Sequence, residues 1–234
     1  MPEYSRLLLF DIDGTLLHTR GAGQKAFRRA LEKYLGEEIP QVHVNYAGRT
    51  DLSILMETLR LLEHPMPPDP LLMRAILDAY VGFLAEEVPH ANLLTVCPGI
   101  PALLDEISDD PEICLGLLTG NAEKGAQYKL KYFQLEHYFP IGAYGDHSLH
   151  RHELVGIAVK RAERHWSHRW LPSTVWLVGD TPQDIEAARI SGVHIAAVAT
   201  GPYSTDDLAA LKPDLLLHDL SGPETLRLLT GKAV

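Results

Sequence analysis

The chain has 234 residues, 46% of them hydrophobic, and carries 31 Asp plus Glu against 21 Lys plus Arg, a formal net charge of -10. That length buries a substantial core and accommodates one large domain or a domain with an insertion. The acidic balance and the lack of a basic block exclude an electrostatic footprint for nucleic acid or an acidic membrane. Cys97 and Cys114, far apart and without metal-type spacing, predict two reduced thiols in or near the core.

The first apolar run, Leu7 to Phe10, is too short for a signal-peptide core or a membrane span, and no later run approaches that length. The expectation is a soluble, cytoplasmic chain. Short runs rich in Leu, Ile and Val recur at 6–10, 113–118, 141–144, 174–178 and 194–199, with a sixth at 214–217 as an added edge strand. Segments of helical period lie between them. Val155, Ala158, Val159, Ala162 and Trp166 share one face; Ala126, Leu130 and Phe133 share another. A helix over 185–191 stops at Gly192. Strands alternating with helices predict an α/β fold, a parallel sheet with helices on both faces.

One gap is out of scale. About a hundred residues separate the first run from the second, where one crossover needs only a few tens. The insert reads as helical: Ala26, Phe27, Ala30, Leu31 and Tyr34; then Leu52, Leu55, Leu59 and Leu62; then Leu72, Ile76, Tyr80 and Phe83, with HPMPPDP breaking the chain before the third set. A small helical domain over 17–94, set into a core of 1–16 and 95–234, is expected. Within it, 21–26 mimics a dinucleotide fingerprint but lies too far beyond the strand, and is read as the lead into the inserted helices.

Reactive groups in open parallel sheets gather beyond the carboxyl ends of the strands. There the sequence places Asp11 and Asp13 in FDIDGTL, Thr119-Gly120-Asn121, Gly145-Asp146, and the run from Gly179 to Asp184. Asp11, Asp13 and Asp180 cannot converge without repulsion unless a cation offsets it, and a hard divalent ion with oxygen ligands, most simply Mg²⁺, would do so. Asp11 can then attack an electrophile while Asp13, on the same side of an extended segment, exchanges a proton with a leaving group. Thr119, Asn121 and backbone N–H groups nearby, Gly120 among them, would hold an anion. The reaction class that fits is phosphoryl transfer through an aspartyl phosphate.

These residues carry a resemblance over nearly the full length. DIDGT at 11–15, Thr119 in LLTGN and GDTPQD at 179–184 resemble the motifs of the haloacid dehalogenase superfamily of phosphatases, and the helical insert resembles its cap. The resemblance implies a Rossmann-like core, Asp11 as nucleophile and Asp13 as general acid and base. It implies Mg²⁺ held by Asp11, the backbone carbonyl of Asp13 and Asp180, with Asp184 acting through water or by orienting a basic residue. Thr119 would bind phosphoryl oxygens. The family's usual Lys before the last motif is replaced by LHRHELV; Arg151 is the candidate, with Lys124 and Lys160 as alternatives. Arg49 in AGRTD either reaches the site from a cap loop to grip an anionic substrate end or pairs locally.

The Asp at position 13 argues against the carbon-attacking dehalogenases and the phosphonate-cleaving relatives, and Gly23, where a related sugar phosphomutase would carry a His, argues for hydrolysis. The expected activity is that of a phosphoglycolate-phosphatase-like phosphomonoester hydrolase acting on a small phosphorylated metabolite, without nucleic-acid or membrane partners. The alternatives are a sugar phosphomutase, a nucleotidase and a non-catalytic phospho-ligand binder.

Overall fold

A computed structural model describes residues 4–36, 39–90 and 94–231. Its main sheet is built from β1 (Arg6–Phe10), β4 (Ile113–Leu118), β5 (Ile141–Ala143), β6 (Val175–Gly179), β7 (His194–Val198) and β8 (Leu215–Leu217), with β2 (Leu17–His18) and β3 (Thr95–Val96) forming a separate pair. The six strands are all parallel, in the order β5-β4-β1-β6-β7-β8, so β8 is an edge strand as the sequence predicts. The third run ends at Ala143, one residue short of expectation.

The strands are apolar on both faces because both are covered. Leu8, Phe10, Leu115, Leu117, Trp176 and Val178 pack with residues of α4 (Ala102–Ser108), α5 (Glu123–Tyr132) and α9 (Pro223–Thr230). Leu7, Leu9, Cys114, Val175, Leu177 and Ile195 pack on the opposite face with α6 (Arg151–Trp166) and α7 (Pro182–Ser191). The last of these helices closes on Gly192, whose left-handed φ of 69° lets its N–H bond Ala188 and Arg189 carbonyls. Both cysteines are buried free thiols, and Trp170 and Trp176 are core residues. Among the described residues no helix is long and apolar enough to cross a membrane.

Helices α1 (Ala22–Leu35), α2 (Asp51–Leu61) and α3 (Pro70–Glu87) bury their apolar sides on one another, in a cluster of their own that includes Phe27, Leu55, Ile76 and Leu84. The chain leaves and re-enters the sheet domain side by side: β2 and β3 pair antiparallel, and Cys97 N–H bonds the Leu16 carbonyl at 2.9 Å. The segment 21–26 opens α1 through Gly21, with a left-handed φ of 86°.

The helical unit is seated on the sheet's carboxyl edge by the start of α2. Thr50 caps that helix through Ser53 N–H and also donates its hydroxyl to the Leu149 carbonyl at 3.2 Å. Asp51 N–H donates to Gly120 O at 2.7 Å, and the Asp51 carboxylate accepts Ala122 N–H at 2.8 Å. Helix α5 has Ala122 at its N-cap and no side-chain cap from that residue; Asp51 of the inserted helices and Asp146 of the sheet domain accept the Ala122 and Glu123 N–H groups at its start. Burial lifts the Asp51 carboxyl to about 7, against the opposing pull of the Ala122 N–H and Lys129.

This shift has a sign. An acid whose folded value lies above its unfolded value near 4 favours the folded state when protonated; that contribution is complete below about 4 and is lost as pH rises to about 7. Asp51→Asn, which keeps an acceptor oxygen but cannot ionise, should therefore gain on the wild type across that interval, by an amount on the order of 4 kcal/mol. Urea unfolding of both proteins at a series of pH values measures the gap; a gap independent of pH contradicts the assignment.

Candidate active site

Strand β1 ends at Phe10 and its line continues one residue further, where Asp11 N–H bonds the Val178 carbonyl at 2.9 Å. Alternation then sends Ile12 into the core, fully buried, while the acids on either side face the carboxyl edge. The turn that follows needs Gly14: its φ is 84°, and a Cβ there would lie 2.2 Å from Asp180 Oδ2. The neighbouring Thr15 hydroxyl donates to Asp180 Oδ1 at 3.0 Å. The two acidic motifs are thus locked together across β1 and β6.

Three of the predicted acids converge. Oxygens of Asp11, Asp180 and Asp184, all buried, lie within 4.8 Å of one another. Arg151, the first residue of α6 and itself buried, places Nη2 2.9 Å from Asp11 Oδ2 and 2.5 Å from Asp184 Oδ1. Asp11 Oδ1 accepts the Ile12 N–H at 2.7 Å. Asp184 is held in turn by a capping box, accepting from Thr181 N–H at 3.1 Å and its hydroxyl at 2.6 Å. Asp184 thus lies beside a basic residue, the contact that one of its two expected roles requires. Lys124 pairs with Asp78 on α3, and Lys160 is exposed on α6; Arg151 is the base beside Asp11.

One guanidinium does not balance three buried carboxylates. Burial raises the Asp11 carboxyl to about 6 despite Arg151, with Asp184 and Asp13 pushing the same way. Burial, then Asp11 and Asp184, lifts Asp180 well above the carboxylate range. Arg151 answers in kind: burial would lower its value, but Asp11 and Asp184 outweigh burial and raise it. A second cation would relieve the excess negative charge, and an all-oxygen donor set suits a hard divalent ion. The residues present fit a hard divalent ion, which Asp11 and Asp180 would hold by their carboxylates, with Asp184 at the rim paired to Arg151.

The expected ligand set uses the backbone carbonyl of Asp13, which leaves its side chain for other partners. The Asp13 carboxylate is turned away from the acidic cluster: Oδ2 accepts from Lys129 Nζ at 2.6 Å and Asn121 Nδ2 at 2.8 Å, and Oδ1 from the Thr19 hydroxyl at 3.2 Å. Burial would raise this carboxyl, but the charge of Lys129 and the three hydrogen bonds hold it below its usual value. Thr119, fully buried at the end of β4, accepts from Asn121 N–H at 3.3 Å and Nδ2 at 2.8 Å. Asn121 thereby ties the Thr119 loop to Asp13.

Arg49 lines the same cavity as Asp11 and also pairs locally. Its guanidinium pairs with Glu57 and donates to the Ser53 carbonyl at 3.1 Å, all within α2 and its lead. The Arg49 backbone closes on the loop after β4: a Cβ on Gly120 would lie 1.9 Å from the Arg49 carbonyl oxygen, so Gly120 serves close approach of the inserted segment. The histidines at 147, 150 and 152 form no metal cluster among the described residues; the His147 ring accepts the Tyr144 N–H at 3.0 Å. His18 contacts Cys97 Sγ at 3.5 Å.

Lys129 escaped the sequence reading, although it left a trace. It interrupts the apolar stripe of α5 between Ala126 and Phe133, next to Leu130, and a cation in a buried stripe calls for a partner. Asp51 left none, since an acid in the first turn of a helix is ordinary. Asp11, Asp13, Asn121, Lys129, Arg151 and Asp180 all line a cavity of about 730 Å³, with Gln24, Phe27, Asn45, Tyr46 and Tyr80 of the inserted unit on the opposite wall.

A family model described as haloacid dehalogenase-like hydrolase matches residues 8–198. The chain is 31% identical to a phosphoglycolate phosphatase of Synechococcus elongatus over 125 residues, 53% of this chain and 56% of that protein. It is 26% identical to a phosphorylated carbohydrates phosphatase of Thermotoga maritima over 225 residues, 91% of this chain and 97% of the relative. The first of these alignments spans little more than half of the relative, the second nearly all of it. Among solved structures, CbbY from Rhodobacter sphaeroides in complex with phosphate shares the fold, with a TM-score of 0.69 at 19% identity over 94% of this chain and 98% of that one. With 191 consecutive residues under the family model and its acidic motifs gathered at one sheet edge, the chain belongs to the haloacid dehalogenase-like hydrolase family.

Proposed function

We propose that the chain is a Mg²⁺-dependent phosphomonoester hydrolase that takes a small organic phosphate through an aspartyl phosphate on Asp11, with residues 17–94 as the cap over the site. The observation that carries this reading is the seating of Asp11: one oxygen accepts a backbone N–H, the other faces the Arg151 guanidinium, and the residue lines the same cavity as Asp13. That is a carboxylate held in place and charge-matched beside a group able to carry a proton.

Bound at Asp11 and Asp180, Mg²⁺ would supply charge neutralisation for the phosphoryl group and the attacking carboxylate. The chain's own residues do the rest. Arg151 offsets charge on Asp11 and on the incoming phosphoryl oxygens, and its buried Nε, without a partner among the described residues, is free for a further acceptor. Thr119 and the Gly120 N–H hold the phosphoryl oxygens at the end of β4. Asp11 attacks phosphorus as the bond to the leaving oxygen breaks, and Asp13 gives that oxygen its proton. Asp13 then takes a proton from water, whose oxygen attacks phosphorus and returns Asp11 as a carboxylate. The cap wall excludes bulk water during the first transfer.

Hydrolysis is favoured over a mutase reaction by Gly23, which lines the cavity and offers no group to act on a second hydroxyl. Relatives named for phosphoglycolate and phosphorylated carbohydrates support a small phosphorylated metabolite as substrate.

Phosphate release from a panel of small phosphomonoesters, with Mg²⁺ and with excess chelator, tests the proposal. Turnover should be lost in chelator and restored by Mg²⁺, and Asp11→Asn should lower it by at least about a thousandfold. No release from the panel by a protein that binds one of its members would turn the reading to a phospho-ligand binder, and full activity in Asp11→Asn would remove the nucleophile.

Arg151 yields a second expectation. Arg151→Ala strips Asp11 and Asp184 of their shared cation and should cost about 3–5 kcal/mol of stability as well as activity. Arg151→Lys should recover part of both. Chemical denaturation beside the release assay separates the losses, and a stable but inactive Arg151→Ala would limit the residue to catalysis.

A further inference from the structure

Lys129 stands outside every motif that the family resemblance supplies, yet its Nζ is among the best-buried charged groups of the chain. Its side chain is 3% exposed, and the amino group donates to Asp13 Oδ2 and to Asn121 Oδ1, each at 2.6 Å. Asn121 completes a closed ring by donating from Nδ2 to the same Asp13 oxygen at 2.8 Å, while that amide also reaches Thr119 Oγ1 at 2.8 Å. The two oxygens of Asp13 are thus unequal. Oδ2 is saturated by two buried donors, one of them charged; among the described residues Oδ1 has only the Thr19 hydroxyl, at 3.2 Å. A hydroxyl rotates and can accept as readily as donate, whereas an ammonium cannot accept at all.

We propose that Lys129 is the positioning residue of the proton-transfer group: it anchors Asp13 by Oδ2, in one orientation over the cavity, so that Oδ1 is the oxygen that gives the proton to the leaving group and later takes one from water. This rests on the hydrolase reading given above. The balance is unchanged by Lys129, which moves no proton. In the first half the hydrogen on Oδ1 passes to the leaving oxygen as the bond from that oxygen to phosphorus breaks. In the second half a water proton returns to Oδ1 as the water oxygen bonds phosphorus. Through Asn121, the same ammonium also fixes Asp13 relative to Thr119, so the proton donor and the anion-holding loop are set by one buried cation.

The consequence is selective. A group that only holds the fold together affects all substrates alike, but a misplaced proton donor harms a substrate in proportion to its need for a proton. kcat/KM reads the steps up to loss of the leaving group. Lys129→Met, similar in length and without donors, should therefore lower kcat/KM for glycerol 2-phosphate, whose alkoxide must be protonated, by about 100-fold, and for p-nitrophenyl phosphate by less than about tenfold. Lys129→Arg, which keeps charge and donors, should hold the ratio of the two substrates within about threefold of wild type. Thermal unfolding of each variant accompanies the assay.

An equal fall on both substrates in a folded Lys129→Met, or no fall on either, overturns the positioning role while leaving the hydrolase reading intact. Should Lys129→Met not fold, the neutral, shorter Lys129→Gln takes its place: a ratio shifted by more than tenfold in the folded variant, with p-nitrophenyl phosphate the less affected, supports positioning, and an unshifted ratio refutes it. Wild-type protein that releases phosphate from neither compound defeats the hydrolase reading itself, and the role for Lys129 with it.

Discussion

Excess negative charge in a dry place is the condition on which this structure turns. Asp11, Asp180 and Asp184 are drawn from two strand ends into one buried cluster whose only fixed counter-charge among the described residues is the Arg151 guanidinium. Removing carboxylates from water costs several kcal/mol each unless partners answer them, and the site answers unequally. Asp184 has a guanidinium, a backbone N–H and a hydroxyl; Asp180 has, among the described residues, the Thr15 hydroxyl. The unmet portion is what makes the cluster attractive to a divalent cation and, once that is bound, to a phosphoryl group.

Asp13 solves the same problem by a different route, and the contrast separates two roles that sequence spacing alone would merge. Two residues from Asp11, it turns toward α5, where Lys129, Asn121 and Thr19 supply a complete set of donors. Burial therefore pushes Asp11 up while the lysine and its neighbours bring Asp13 down. Taken without a metal, these shifts run opposite to an ionised nucleophile beside a protonated acid; a cation held by Asp11 and Asp180 would bring the Asp11 carboxyl down to the form that attacks.

The inserted helices take part in this electrostatic frame as well as covering it. The backbone of Arg49 passes so close to Gly120 that no side chain fits between them, and Asp51 reaches across to Ala122 at the exposed start of α5. The loop expected to hold phosphoryl oxygens is thereby clasped between the sheet and the insert, with Thr119 set by β4 and Asn121 set by Lys129 and Asp13.

The parallel α/β sheet, the long helical insertion after its first strand, and the acids at 11, 13, 180 and 184 were all legible as periodicity and as position relative to apolar runs, because strand ends and chemistry coincide in such sheets. Arg151 was legible as a candidate, and contact with Asp11 and Asp184 singled it out from Lys124 and Lys160. What only the tertiary structure decided are the partnerships across the chain: Lys129 to Asp13 over 116 positions and Asp51 to Ala122 over 71. The physical reason is one of range. Local pattern fixes which face of an element is buried, but which charge neutralises which depends on distances of a few ångströms between elements remote in sequence, and those exist only once the helices have packed on the sheet.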